Sequence, residues 1–202
     1  EIYRDHKRVV FNGNNYSDEW INVESKKRGL PEIKSTPEAL PYYTKPENVE
    51  LLSRYGVLTA RECEARKDIL LEQYAKVINI EAYTMYKMTA KMILPACVEF
   101  MNVLSESIHR KKSLDMSYDY EGSVLYKASK LVDSAYAKNN KLEELRRTAA
   151  GMTDIEKQTM YLHDVVLAEM DDLRNVIDSL ELVCSSDYWP LPSYGDMLFY
   201  AD

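Results

Sequence analysis

Residues 59–96 read TARECEARKDILLEQYAKVINIEAYTMYKMTAKMILPA, and this run says more about the architecture than any other segment of the chain. Thr59 and Glu62 have the T-x-x-E spacing of a capping box, which marks the start of a helix. Apolar residues then recur at intervals of three and four, as on the buried side of a helix. They are Leu71, Tyr74, Ile78, Met85, Met88 and Met92. The stretch therefore predicts a helix much longer than the average of about 11–12 residues.

The same helix carries a second apolar face, formed by Ile80, Tyr83 and Tyr86. A surface helix shows one apolar stripe, so two faces predict a central helix that is covered on two sides. Pro95 lies inside the pattern and removes one backbone hydrogen bond, which predicts a kink. The pattern resumes to about Lys111, giving a helix of about 50 residues and roughly 75 Å at 1.5 Å per residue.

A second long helix follows the polar, glycine-containing loop at residues 111–122; it begins near Ser123 and ends at Gly151. One heptad repeat comprises Ala128, Ala135, Leu142 and Ala149, and a companion heptad comprises Val124, Leu131, Lys138 and Leu145. Such repeats are typical of helices packed as in a coiled coil. Because the repeat keeps its phase through Asn139 and Asn140, it predicts one helix with a weak point there.

A third long helix starts at a capping box formed by Thr153 and Glu156 and runs to about Val183. Its apolar positions alternate by fours and threes: Leu162, Val166, Met170, Leu173, Ile177, Leu180 and Cys184. The proline-containing tail at residues 185–202 is predicted to be extended. The aromatic residues expected to hold it in place are Tyr188, Trp189 and Phe199.

The region up to Tyr55 is broken into short helices. Ser17 caps the first of them, which Gly29 ends. The second begins at Thr36-Pro37-Glu38 and ends at Pro41, and the third runs from about Pro46 to Tyr55. Helices this short are marginal alone, so the region is expected to lie on something larger.

Together these patterns predict an all-α fold. Short connections make consecutive long helices antiparallel, giving an elongated up-down-up bundle of three long helices. The short helices and extended segments of the N-terminal region and the C-terminal tail are expected to pack on it. We place residues 1–58 in a segment of short helices and residues 59–202 in the bundle with its tail, the two forming one structural unit.

The composition excludes several classes of function. The chain has 202 residues, of which 46% are apolar and 29% charged, and its net charge is −7. A negative charge disfavours binding to nucleic acid or to anionic membranes, and no apolar run approaches the roughly 20 residues that cross a bilayer. Cys63, Cys97 and Cys184 are widely spaced, which predicts neither a disulfide framework nor a metal knuckle. These features fit a cytoplasmic protein.

The histidines offer two candidates for chemistry. Glu106 and His109 form an E-x-x-H motif, but di-iron bundles need two such motifs and further glutamates. A solvated helix end is favoured over a metal site there. His163 is followed by Asp164 and has no serine or cysteine neighbour at a nucleophile's spacing, so a structural role is favoured over a catalytic one.

Glu81 lies among the apolar positions of the first long helix, where a lone buried charge costs several kcal/mol unless it is paired. A polar contact with a neighbouring helix or a preceding domain is favoured, and a ligand-binding or catalytic role is the alternative. Asn79 is the second candidate for an interdomain or structural polar contact. Plain core is favoured over a soft binding groove for Met85, Met88 and Met92. No catalytic, cofactor-binding or metal-binding residue is predicted in this chain.

Several segments carry a family resemblance. LLEQYAKVINIEAYTMYKMTAKMILPA, at residues 70–96, resembles the C-terminal helical region of the type III glutamine synthetases. HKRVVFNGNNYSDEW at residues 6–20 and KRGLPEIKSTPEALP at residues 27–41 are similar to the segment that follows the catalytic barrel in that family. RYGVLTARE at residues 54–62 and YWPLPSYGDMLF at residues 188–199 also fit.

The resemblance implies a function for a larger protein. The whole enzyme of that family joins glutamate and ammonia with ATP through a γ-glutamyl phosphate, using divalent metals such as Mg²⁺ or Mn²⁺, and it forms a large homo-oligomer. Its catalytic groups lie in the barrel, so the resemblance implies a noncatalytic helical region that packs on that barrel and supports assembly. The chain starts at Glu1 without a methionine. We therefore expect an excised fragment, inactive alone, although a processed protein has the same appearance. The alternative is an independent helical adaptor that binds a partner helix through its methionine and tyrosine faces.

Overall fold

The computed structural model describes residues 1–192 and 194–199, which form helices joined by turns, with no strand among them. The predicted all-α class is confirmed. The chain divides into two compact units, Glu1–Lys67 and Asp68–Asp202, and the division falls within the first long helix. The boundary expected from the sequence, between residues 58 and 59, lies ahead of that helix.

The first unit consists of short helical pieces. Its elements are Ile2–Asp5, a 3₁₀ turn Lys7–Val9, a π-helical turn Trp20–Glu24 continuing into Ser25–Lys27, Thr36–Ala39, a 3₁₀ turn Leu40–Thr44 and Pro46–Arg54. Ser17 Oγ accepts a hydrogen bond from the Trp20 amide at 3.3 Å, as expected of a cap. Gly29 and Gly56 end two of the helices with φ of 63° and 65°, the left-handed conformation that glycine adopts most easily. The α-helix Thr36–Ala39 ends just before Pro41, as expected, and Pro41 lies near the start of the 3₁₀ turn that follows, where proline is tolerated.

The first long helix spans 54 residues. It comprises Ala60–Met88, a π-helical turn Thr89–Ile93, and Leu94–Ser113. Near Pro95, where the sequence predicts a kink, the structure has a π-helical turn that ends at Ile93, two residues before the proline. Such a turn holds one extra residue, which separates the proline ring from the carbonyl four residues earlier, that of Lys91.

The second long helix spans Asp119–Ala150. The third comprises Ile155–Tyr161, a π-helical turn Leu162–Val166, and Leu167–Glu181. The second helix begins earlier than the expected Ser123. Its first turn carries Asp119 and Glu121, whose negative charge suits a helix N-terminus. The third helix is capped by Asp154, whose carboxylate accepts hydrogen bonds from two backbone amides at 3.1 and 3.2 Å. The assignment of this cap to Thr153 is wrong by one residue.

The three long helices of the second unit run antiparallel in sequence order. Asn139 Nδ2 donates to the Tyr86 carbonyl at 3.3 Å, whereas Ser107 Oγ donates to Glu121 at 3.4 Å, so positions rise along one helix as they fall along the other. The core contains the residues predicted from the repeats, each at most 6% exposed. They are Ala128, Ala135, Leu142 and Ala149 on the second helix and Leu162, Val166, Leu173, Ile177 and Leu180 on the third. The predicted up-down-up bundle is confirmed.

The second apolar face of the first long helix is not covered. Ile80 is 62% exposed and Tyr83 44% exposed, so the expectation of a helix buried on two sides is wrong. The buried positions of this helix, such as Ile78 and Ala82, lie in the core cluster with residues of the second and third helices. Both neighbouring helices therefore lie on one side of the first and leave its other side open.

The C-terminal tail differs in part from the expected extended segment. A short helix occupies Tyr194–Leu198. Trp189 packs against the core cluster, and the Tyr188 ring lies 5.8 Å from that of Phe100, centroid to centroid. Phe199 is 81% exposed, so the expectation that it holds the tail in place is wrong. The parts of the tail at residues 193 and 200–202 lie outside the described residues.

Candidate functional site: a polar network between the first two long helices

A buried carboxylate on the second long helix organises the most extensive polar network in the described part of the second unit. Glu143 is 8% exposed. Arg146 Nε donates to Glu143 Oε2 at 2.7 Å and Arg146 Nη2 donates to Oε1 at 2.9 Å, a bidentate pair. Arg147 Nε donates to Oε1 at 2.6 Å. Spacings of three and four residues place both arginines on the same side of the helix as Glu143.

Arg146 also reaches the first long helix. Its Nη1 donates to Asn79 Oδ1 at 3.0 Å, and its guanidinium carbon lies 4.9 Å from the centroid of the Tyr83 ring, a cation–π distance. One side chain therefore joins the two helices through a hydrogen bond and an aromatic contact. Asn79, a candidate for a polar contact from the sequence, makes one between helices of the second unit; its contact with another domain stays a prediction.

The electrostatics of the network favour the ionised forms of Glu143 and Arg146 over proton transfer. The hydrogen bond from Arg146 lowers the pKa of Glu143, with a smaller lowering from Arg147, and burial opposes both. The hydrogen bond to Glu143 raises the pKa of Arg146. Glu143 is therefore ionised at neutral pH, and both of its oxygens accept hydrogen bonds. The arrangement ties two helices together and leaves no group poised to accept or deliver a proton.

A cavity of about 270 Å³ adjoins Asn79. Its polar walls are engaged with neighbours: Lys76 Nζ lies 3.1 Å from Glu72 Oε2, and Gln158 Nε2 donates to the Ala149 carbonyl at 2.9 Å. The lining residues are Glu72, Ala75, Lys76, Asn79, Ala150, Ile155, Gln158 and Leu162. Its volume is slightly below the range of about 300–1,000 Å³ typical of ligand pockets, so its size does not favour a ligand site.

Glu81 is exposed, and its predicted position among the buried residues is wrong. Ile78 and Ala82 occupy the buried positions, and Glu81 lies one residue to the side. Its charge is therefore solvated and needs no buried partner. A role for Glu81 toward a domain outside this chain stays a prediction.

The two histidine motifs also lie at the surface. His109 is exposed, and Glu106 forms an ion pair with Arg110 rather than with His109. His163 Nδ1 lies 2.8 Å from Asp164 Oδ1 on the π-helical turn of the third helix. Within residues 1–192 and 194–199, no three His, Cys, Asp or Glu side chains converge to hold a metal ion. No helix of this part of the chain combines the length and apolar character that crossing a bilayer requires.

Comparison with known proteins assigns the family. A sequence model of the glutamine synthetase C-terminal domain matches residues 1–112, more than half of the chain. The chain belongs to this family. It is 40% identical to a glutamine synthetase of Butyrivibrio fibrisolvens and 32% identical to a type-3 glutamine synthetase of Dictyostelium discoideum, each over 96% of its length. A glutamine synthetase of Bacteroides fragilis is 27% identical over 95% of the chain.

These alignments cover 28%, 27% and 27% of the three relatives. The chain thus spans slightly more than a quarter of the length of the curated relatives it matches. The resemblance to the C-terminal region of type III glutamine synthetases is confirmed. Because the family model ends at residue 112, it includes Asn79 and Tyr83, whereas Glu143 and Arg146 lie beyond it.

Sequence reasoning missed two buried carboxylates of this family member. Glu143 was recognisable from its arginines three and four residues later, a spacing that brings opposite charges together on a helix. Glu169, 4% exposed, forms an ion pair with Lys141, and its other oxygen lies 4.0 Å from Lys138 Nζ. Lys138 had been recognised as the polar member of a heptad; its second partner is Asp172 at 2.8 Å.

The three methionines expected to form either core or a groove do not share one environment. Met85 packs against the core cluster, Met88 is half-buried, and Met92 is 40% exposed. The core interpretation therefore holds for Met85, and Met92 belongs to the open side of the helix.

Proposed function

We propose that this chain is the helical C-terminal region of a glutamate–ammonia ligase that makes glutamine with ATP. Its role there is to pack on the catalytic barrel of the same polypeptide and to support assembly of a homo-oligomer. The observation that carries the proposal is its alignment, over 96% of its length, with 28% of a protein named glutamine synthetase. Glutamine formation places the whole protein in nitrogen metabolism, and we propose a cytoplasmic location.

The described residues support a structural role. Arg146 joins two helices through Asn79 and Tyr83, Glu143 holds the arginine through a bidentate pair, and the network holds no group for proton transfer. The ATP and the Mg²⁺ or Mn²⁺ of such a ligase would act at the barrel, where oxygen ligands from carboxylates are expected to converge. The described residues do not provide such a donor set. No step of the ligase reaction is therefore assigned to them.

Reading the coding sequence upstream of Glu1 tests the proposal. An open frame that continues into a catalytic barrel supports it. An initiation codon directly before Glu1 contradicts it. In that case the exposed Tyr83 and Met92 favour the second candidate, an adaptor that binds a partner helix.

A direct assay provides a second test. The purified 202-residue chain, supplied with ATP, glutamate, ammonia and Mg²⁺, is expected to form no glutamine. Metal-dependent synthesis by this chain alone would contradict the structural role.

A further inference from the structure

The open side of the first long helix carries an apolar stripe, which we call the outer stripe. Its members are between 40% and 64% exposed. They are Ile69, Val77, Ile80, Tyr83, Met92 and Val103. At 1.5 Å per residue, a stripe from residue 69 to residue 103 is about 50 Å long. Within the second unit these side chains stay largely exposed, although the Arg146 guanidinium lies 4.9 Å from the Tyr83 ring centroid. Contiguous apolar surface of this kind marks an interaction site.

The charges along the outer stripe are arranged by sign. Lys87 lies toward its N-terminal end and Glu99 toward its C-terminal end, and both are exposed. Lys87 Nζ lies 5.3 Å from the centroid of the Tyr83 ring. Neither Lys87 nor Glu99 forms an ion pair among the described residues. The exposed Lys91 adds a second positive charge beside Lys87.

Two further charges of this side are paired within the helix. Lys76 lies 3.1 Å from Glu72, and Glu106 pairs with Arg110. Between Tyr83 and Val103, the exposed charges without an ion pair among the described residues are therefore positive on the N-terminal side of the midpoint and negative on its C-terminal side. The exposed Glu81 lies N-terminal to this span. A surface with this pattern complements its own copy when the copy runs in the opposite direction.

The positions specify the register. Residue 93 lies midway between Lys87 and Glu99, so a twofold axis there places Lys87 of one copy opposite Glu99 of the other. Symmetry repeats the same pair on the other side of the axis. The same register places Tyr83 opposite Val103 and brings the two copies of Met92 together at the axis. A parallel arrangement would instead place like charges opposite each other.

We propose that the outer stripe binds the outer stripe of a second copy of this chain, antiparallel, across a twofold axis near Met92. The proposal rests on the assembly role proposed above and names the surface that performs it.

Sedimentation velocity of the purified 202-residue chain over a concentration series tests the register. Lys87→Glu and Glu99→Lys should each raise the dimer Kd about tenfold, because each reversal sets like charges opposite each other at two symmetric places. The double variant, Lys87→Glu with Glu99→Lys, should return the Kd to within about threefold of wild type, since the two effects couple only if the residues meet.

Lys127→Glu is the matched control. Lys127 is exposed on the second long helix, away from the outer stripe, so the same charge reversal should leave the Kd unchanged. Circular dichroism confirms that each variant keeps its helical content. The effect of each charge reversal on the Kd should shrink at high salt, because salt screens exposed ion pairs. An effect of the same size at low and high salt would overturn the register.

A wild-type chain that stays monomeric would overturn the proposal and leave the outer stripe to a different partner, such as the proposed barrel. A double variant no better than the single ones would also overturn it. These outcomes are distinct from failure of the proposed function. An initiation codon before Glu1 would contradict the ligase assignment without changing the result of the charge exchange.

Discussion

The two sides of the first long helix are both apolar, yet only one is buried. The inner side includes Ile78, Ala82, Ile93, Cys97 and Leu104, each at most 8% exposed. The outer stripe is 40–64% exposed. Both sides repeat at helical spacing, so the repeat does not decide which is covered. The difference shows that an apolar face predicts a partner, and that the neighbouring helices of this chain supply only one.

Paired isoleucine substitutions give the largest contrast between the two sides. Ile93 is 3% exposed in the core cluster, and Ile93→Ala should lower the free energy of unfolding by about 2–5 kcal/mol, because it leaves a cavity. Ile80→Ala is the matched control, expected to change it by about 0.5 kcal/mol or less in dilute protein. Urea unfolding followed by circular dichroism measures both. Equal losses would contradict the assignment of inner and outer sides.

The polar network lies beside the outer stripe. Arg146 contacts the half-buried Asn79 and the outer-stripe residue Tyr83. Glu143→Gln leaves Arg146 without its carboxylate and should cost about 2 kcal/mol, between the values typical of exposed and of buried ion pairs. The exposed neighbour Glu144 is the control, and Glu144→Gln should change the free energy of unfolding by about 0.5 kcal/mol or less. An equal effect of the two substitutions would contradict the claim that Glu143 stabilises the fold through Arg146.

The difference in unfolding free energy between wild type and Glu143→Gln should depend on pH. Because the pKa of Glu143 is lowered in the folded state from its ordinary value of 4.5, its contribution is present above that value. It is lost as the pH falls through the lower, folded-state pKa. The stability difference between wild type and Glu143→Gln should therefore be constant from pH 7 to about pH 5 and shrink below about pH 4.5. A difference that grows on acidification would have the wrong sign.

The cap of the third long helix lies on neither side of the first and provides the smallest expected effect. Asp154→Ala should cost about 1 kcal/mol, because two backbone amides lose their acceptor. Thr153→Ala should cost less than about 0.5 kcal/mol. A larger loss from Thr153 would restore the capping box expected from the sequence.

The sequence predicted the buried seams of the second and third helices well, because Ala128, Leu142, Leu173 and their equivalents follow strict heptads. It did not separate Glu81 from Ala82, since an error of one residue turns a helix position by about 100°. The π-helical turns at Thr89–Ile93 and Leu162–Val166 were also missed. Each turn shifts the helical repeat by one residue. The shift does not show in the sequence, because the apolar spacing already varies between three and four.

The site was harder to predict than the fold. Asn79 carries a signal only as a polar residue on a largely apolar helix, and its partner Arg146 lies in another helix. Pairing of residues so distant in sequence depends on the register of the bundle, which single helices do not reveal. The outer stripe was recognised in part, through Ile80 and Tyr83, but the number of neighbouring helices decided its exposure.

The concentration dependence of urea unfolding tests most directly whether the outer stripe is an association surface. For a dimer that dissociates on unfolding, the wild-type midpoint rises with protein concentration, because association stabilises the folded chain. Ile80→Asp, which introduces a charge into the stripe, should fold to the same helical content and show a midpoint independent of concentration. A wild-type midpoint that stays constant across the concentration series would contradict the account.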